Sequence, residues 1–134
     1  MSFPLDIVRS AYDAFAKRDV ARIFALFSPD IVIVQSEELP WGGVYRGHDG
    51  ARHFFAKLTA HLNSTLEFER FITSGDHVTA IGWTCGNVIR SGAHYRVPIA
   101  HVWKVSGEVV TEVRFFIDNP TMLAVLDIPQ SQNA

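Results

Sequence analysis

The stretch that decides the fold runs AHVWKVSGEVVTEVRFFID from Ala100 to Asp118. β-Branched and aromatic residues recur on both sides of Ser106-Gly107, a dipeptide suited to a tight turn. This pattern is typical of two antiparallel strands joined by a hairpin. The stretch therefore predicts strands near residues 94–105 and 108–118.

The same pattern extends towards the N-terminus. From about Leu66 apolar residues recur at alternate positions, and Ser74-Gly75-Asp76 and Ser91-Gly92 mark two further turns. These signals add a strand that begins near Leu66 and another over residues 77–90. We therefore expect four strands in an antiparallel meander.

The first half of the chain has helical spacing instead. Apolar residues three and four apart from Leu5 to Phe15 predict one helix, and Asp19 is a suitable N-cap for a short second helix that Ser28-Pro29 ends. A β-branched run at 31–34 predicts a strand, residues 51–62 predict a third helix, and residues 122–126 a helical tail. The fold class is thus α+β in a single domain, residues 1–134, with three N-terminal helices packed on a strongly curved, mostly antiparallel sheet.

Charge and composition exclude several classes of protein. The 134 residues include 12 basic and 14 acidic side chains, so we expect no electrostatic binding of nucleic acid or of an anionic membrane. The single cysteine, Cys85, forms no internal disulfide, and the N-terminal residues do not resemble a signal peptide, so we expect a cytoplasmic protein. The sequence holds neither a Gly-x-Gly-x-x-Gly fingerprint nor a His-x-x-x-His pair, so we expect no cofactor and no metal.

The order of elements resembles the cone fold of the nuclear-transport-factor-2-like (NTF2-like) superfamily, and within it the SnoaL-like group of polyketide cyclases. The resemblance is most specific at Tyr12-Asp-Ala-Phe with Arg18-Asp19, at the ring-bearing loop from Leu39 to Gly50, and at the hairpin from Ala100 to Asp118. It implies a concave pocket closed by helices. The superfamily includes isomerases, cyclases, dehydratases, epoxide hydrolases and non-catalytic members, so the fold alone does not give the function.

One member can be compared residue by residue. Ketosteroid isomerase uses a helix-1 tyrosine, a first-strand aspartate and an aspartic acid on the penultimate strand, and the resemblance places Ala11, Gln35 and Ala100 there. That catalytic apparatus is therefore absent. Tyr12 is one residue from the place of the tyrosine, and the rotation of about 100° per helical residue predicts that it points elsewhere.

The last predicted strand carries the candidate catalytic groups. Its alternation puts Glu112, Arg114, Phe116 and Asp118 on one face, and the resemblance implies that this face lines the pocket. Asp118 and Glu112 would then carry protons, and Arg114 would hold them ionised and stabilise a developing oxyanion. The opposite face, residues 113, 115 and 117, would meet a helix, the tail or a second subunit. The alternative is a half-buried strand whose polar face is only solvated.

Strand register decides the position of His101. A two-residue turn at Ser106-Gly107 pairs His101 with Glu112, whereas a bulge at Gly107 turns His101 to the other side of the sheet. We keep His101 as a supporting catalytic candidate because histidine exchanges protons near neutral pH. A buried core histidine bonded to the backbone or to a carboxylate is the alternative.

Aromatic residues supply the candidate substrate contacts. Trp41 and Tyr45 in the loop from Glu37 to His48 suit the mouth of a small-molecule pocket, and Phe116 and Tyr12 join them as binding candidates. The alternative is that the loop plugs the cone and that Tyr12 is an ordinary core residue.

Two functions of different class are compatible with these features. The first is a cofactor-free enzyme that performs general acid–base chemistry on a compact apolar molecule carrying a carbonyl, hydroxyl or epoxide group. The second is a non-catalytic ligand-binding or dimerisation module. An open cavity with convergent carboxylates favours the enzyme. In either case we expect a homodimer formed through the sheet.

Overall fold

The computed structural model describes residues 3–127, which form four helices and six strands. The helices are α1 (Pro4–Ala16), α2 (Val20–Leu26), α3 (Gly47–His61) and α4 (Asn119–Val125). The strands are β1 (Phe27–Gln35), β2 (Gly43–Arg46), β3 (Leu62–Ser74), β4 (His77–Val88), β5 (His94–Ser106) and β6 (Val109–Ile117). No helix within residues 3–127 combines the length and the apolar character needed to cross a membrane.

All six strands form one sheet in the order β2-β1-β6-β5-β4-β3. The predicted meander is confirmed as β3 to β6, every pair of which is antiparallel, and β1 joins it by pairing parallel with β6. The short strand β2 lies in the segment predicted to be a loop, where Val44 pairs with Val34. The fold is therefore α+β with a curved, mostly antiparallel sheet.

Local signals explain where the helices begin and end. Proline near the start suits the first turn of α1, and the Asp19 carboxylate caps α2 as predicted by accepting a hydrogen bond from the backbone N–H of Arg22 at 3.1 Å. The second helix ends at Leu26, slightly before the predicted stop at Ser28-Pro29, and these two residues lie in β1, which begins at Phe27. The third helix begins at Gly47, earlier than predicted.

The hairpin between β5 and β6 sets the register of the site. Its two turn residues are Gly107 and Glu108, and Gly107 takes the left-handed φ of 60° that favours glycine there. The register then shifts by one residue, because Thr111 bulges out of the ladder between Val110 and Glu112. Beyond this bulge His101 pairs with Phe115 rather than with Glu112.

Candidate ligand-binding site

A cavity lies between the sheet and the helices. Side chains from α1, α2, α3 and α4 close it against one face of the sheet. We call this the concave face, and it carries residues 95, 97, 99, 101, 103 and 105 of β5. The space open to the centre of a water molecule is about 80 Å³. A single water needs roughly 10–15 Å³ on this measure, so the cavity has room for several waters or for a small organic molecule.

The concave face receives the apolar side of β6. Phe115 and Ile117 line the cavity and Val113 is fully buried. The predicted pocket residues Glu112, Arg114 and Phe116 lie on the opposite, convex face of the sheet. The prediction that this polar face lines the pocket is wrong, because burial beneath the helices selects the apolar face of an alternating strand.

The charged groups of β6 are consequently in contact with solvent. Arg114 Nη2 lies 3.4 Å from Glu112 Oε1 in an ion pair whose side chains are 48% and 33% exposed, so the pair contributes little stability. Asp118 lies just beyond the strand, where its carboxylate accepts a hydrogen bond of 3.2 Å from the N–H of Thr121 and caps α4. Glu112 and Asp118 do not converge, and no carboxylate within residues 3–127 lines the cavity.

Three rings from two elements form the polar centre of the cavity. The hydroxyl of Tyr12 on α1 lies 2.8 Å from Trp103 Nε1 and 2.8 Å from His101 Nδ1, both on β5. An indole N–H can only donate, so the Tyr12 oxygen accepts from Trp103, and within residues 3–127 the one acceptor within reach of the Tyr12 hydrogen is His101 Nδ1. His101 Nδ1 therefore accepts, and the ring proton of a neutral His101 resides on Nε2.

The Nε2–H group is the free donor of this network. It has no hydrogen-bond partner within residues 3–127. It is also not one of the polar atoms that are completely buried without a partner, so a molecule in the cavity can reach it. His101 itself is buried and lines the cavity. The N–H is thus available to a molecule that enters the cavity.

Burial keeps both titratable rings neutral. It lowers the pKa of His101 to about 3, because the imidazolium would lose its hydration in an apolar site. It raises the pKa of Tyr12 well above its usual range, although the hydrogen bond from Trp103 lowers it somewhat. His101 is on the cavity side but does not have the near-neutral pKa that the sequence suggested for a proton carrier.

The structure corrects the predicted position of Tyr12 in the comparison with ketosteroid isomerase. Ala11 and Tyr12 both line the cavity, so the predicted rotation of Tyr12 away from the pocket is wrong. The long side chain of Tyr12 reaches His101 and Trp103 on β5 although its position on the helix is about 100° from that of Ala11. Gln35 also lines the cavity and donates a hydrogen bond of 2.8 Å from Nε2 to the backbone oxygen of Phe115. Tyr12, Gln35 and His101 thus lie on the three elements that carry the isomerase residues.

The aromatic loop lines the cavity without filling it. Trp41 is 1% exposed and contributes to the cavity wall. Tyr45 does not line the cavity. Its hydroxyl lies 3.1 Å from the backbone oxygens of Trp41 and Gly42, so it fixes the loop that carries Trp41. Phe116 is 54% exposed on the convex face and takes no part in the site.

Some of the lining residues were not predicted from the sequence. Trp103 is two positions from His101 on an alternating strand, a spacing that could have placed both rings on one face. Ser64 and Thr84 also line the cavity and carried no local signal. Within residues 3–127 no group of three or more His, Cys, Asp or Glu side chains is arranged to hold a metal ion.

Comparison with known proteins gives a family match and several similar structures. The model of the SnoaL-like domain matches residues 8–113. An NTF2-like protein of unknown function from Burkholderia pseudomallei K96243 is 25% identical with a TM-score of 0.87, over 94% of this chain and 98% of that one. An NTF2-like protein from Burkholderia thailandensis E264 is 26% identical with a TM-score of 0.86, over the same 94% and 98%.

TerC, crystallised with polyporic acid, is 24% identical with a TM-score of 0.83, over 92% of this chain and 98% of that one. A search of curated proteins found no match.

Proposed function

We propose, from the premise that the chain belongs to the SnoaL-like domain family, that its cavity binds a compact, largely apolar molecule through one oxygen atom. That oxygen accepts a hydrogen bond from His101 Nε2. The proposal is supported by the two consecutive hydrogen bonds from Trp103 to Tyr12 and from Tyr12 to His101. They leave the Nε2–H of His101 as one oriented donor at an apolar cavity.

The physical basis is the cost of an unmet donor. A buried polar group without a partner costs about 1–3 kcal/mol, and a ligand oxygen relieves that cost for His101. The remaining wall is almost entirely apolar, so the burial of aromatic rings of the ligand against it is favourable. Because no charged side chain within residues 3–127 lines the cavity, an uncharged carbonyl or hydroxyl oxygen suits it better than an anion. TerC, of the same fold, has been crystallised with a small organic molecule, polyporic acid.

Binding is tested with 2-acetonaphthone, an uncharged aromatic ketone, by isothermal titration calorimetry. The ketone should bind the wild type and bind His101→Phe about tenfold more weakly, which corresponds to one lost hydrogen bond. Arg114→Gln on the convex face is the matched control and should bind as the wild type does. Equal affinity in wild type and His101→Phe would refute the role of Nε2.

An enzyme is the second candidate function, and the preorganised donor favours it. A fixed neutral N–H polarises a carbonyl and stabilises the enolate that forms when an adjacent C–H loses its proton. Any base must come from solvent or substrate, since no carboxylate of residues 3–127 lines the cavity. NMR in D₂O tests this with the same ketone. Exchange of its methyl protons that is faster with wild type than with His101→Phe supports enolisation, whereas binding without exchange supports a binding module.

A second copy of this chain is the partner that we propose for the convex face. Ile81, Ala100 and Phe116 lie in one row across β4, β5 and β6, and Trp83 and Val102 lie beside them. This apolar surface is partly open to solvent, as in a sheet that pairs with another. Light scattering should find a dimer, and Phe116→Asp should give a monomer that still binds the ketone. A wild-type monomer at high micromolar concentration would contradict the proposal.

A further inference from the structure

The cavity has a second polar end, far from His101. Ser64 on β3 and Thr84 on β4 are buried, and their side chains line the same cavity. In the sheet Thr84 pairs with Val97, whereas His101 pairs with Ala80. The two ends are therefore four residues apart along the strands, a separation of about 13 Å between backbone positions.

Tyr95 lies behind this second end. It is on the concave face of β5, paired with Gly86, which in turn pairs with Ser64. Its side chain is only 6% exposed, and the hydroxyl oxygen has no hydrogen-bond partner within residues 3–127. Burial raises the pKa of Tyr95, and the hydroxyls of Thr84 and Ser64 lie close enough to the phenol to lower that pKa in turn, although neither forms a well-shaped hydrogen bond with it.

Three hydroxyl groups thus meet at one end of an apolar cavity without a complete hydrogen-bond network. Each hydroxyl can donate one hydrogen bond and accept two. A buried phenol without a partner is unfavourable, and its neighbours Ser64 and Thr84 line the cavity whereas Tyr95 does not. One further oxygen at the cavity wall would give these hydroxyls a partner and allow them to turn towards Tyr95.

We propose that the site takes an elongated, uncharged ligand with two oxygens, one at His101 Nε2 and the other, a hydroxyl, at Ser64 and Thr84. This inference rests on the proposed function above, since it extends the ligand of the same cavity. The oxygens are separated by on the order of 10 Å, because the side chains at both ends reach inwards from positions about 13 Å apart. A flat aromatic core between them suits the apolar wall formed by Phe15, Leu58, Leu66 and Ile99. The ligand class is therefore a hydroxyaryl ketone.

Two ketones separate this inference from the function on which it rests. The first is 2-acetonaphthone, and the second is 6-hydroxy-2-acetonaphthone, which adds a hydroxyl at the far end of the rings. By calorimetry the wild type should bind the hydroxy ketone about tenfold more tightly than the parent. Thr84→Val keeps the shape of the side chain and should abolish that preference while leaving the parent ketone within twofold. Thr79→Val, on the convex face of the same strand, is the control and should keep the preference.

Tyr95→Phe gives an independent readout. It should lower the preference for the hydroxy ketone and yet leave the melting temperature of the free protein equal or higher, because it removes a hydroxyl that forms no hydrogen bond within residues 3–127. The inference is overturned if the parent ketone binds but the wild type shows no preference, or if the preference survives in Thr84→Val. If neither ketone binds the wild type, the proposed function fails and the inference fails with it.

Discussion

Replacement of Tyr12 by Phe removes one oxygen atom and leaves two buried groups without partners. The hydroxyl accepts from Trp103 Nε1 and donates to His101 Nδ1, each at 2.8 Å, so the indole N–H and the imidazole nitrogen both become unsatisfied. Each such group costs about 1–3 kcal/mol, and the greater hydrophobicity of Phe returns part of this. We expect the free energy of unfolding to fall by about 2–4 kcal/mol and the melting temperature by roughly 10 °C.

Urea unfolding followed by tryptophan fluorescence measures this loss, with an unchanged m-value as the sign that only stability has changed. Tyr45→Phe is the matched control. Within residues 3–127 the Tyr45 hydroxyl donates only to carbonyls of its own loop, so a loss of about 1 kcal/mol is expected. A Tyr12→Phe variant within about 0.5 kcal/mol of wild type would show that the hydroxyl does not link the two rings. The same variant should also lose ketone affinity, because nothing then fixes the proton on Nε2.

Three further predictions follow from the positions of the candidate residues. His101 has a pKa of about 3 in the fold against about 6.5 when unfolded, so the unfolded chain takes up the proton first as the pH falls. Its stabilising contribution is complete above pH 6.5 and lost towards pH 3. As the pH falls between these values, the free energy of unfolding of the wild type should decrease by up to about 1.4 kcal/mol per pH unit more than that of His101→Gln, measured by urea unfolding. An equal pH dependence of the two proteins would contradict the burial of the ring. In the monomeric Phe116→Asp background, Arg114→Gln should change the free energy of unfolding by less than about 0.5 kcal/mol because its ion pair is then solvated, and a larger loss in urea would show a structural role. Asp118→Ala should lower the free energy of unfolding by about 1 kcal/mol through the missing helix cap and yet bind the ketone as the wild type does. Weaker binding in calorimetry would show that Asp118 takes part in the site.

Periodicity predicted the meander and α1 well, because each depends on the placement of apolar residues along a single segment. The sequence did not predict the pairing register of two strands, which depends on both segments at once. The bulge at Thr111 changes the pairing of β5 with β6, and a bulge at such a residue has no reliable sequence signal. The register that turned His101 away from Glu112 was one of the two considered, but its cause was expected at Gly107.

The choice of pocket face failed for a different reason. The family resemblance placed the face of Glu112 and Arg114 in the pocket, whereas burial under the helices selected Phe115 and Ile117. A polar network assembled from distant positions also leaves no local pattern. Tyr12 is 89 residues from His101 in the sequence, so only the folded chain brings the two together.

The protonation state of His101 decides whether Nε2–H is the donor offered to a ligand. Nitrogen-15 NMR of the labelled imidazole, recorded from pH 5 to 9 without ligand, distinguishes the two ring nitrogens and follows their titration. We expect a neutral ring over the whole range, with the proton on Nε2 and an unprotonated Nδ1 that accepts a hydrogen bond from Tyr12. A proton on Nδ1, or titration near pH 6.5, would contradict this expectation.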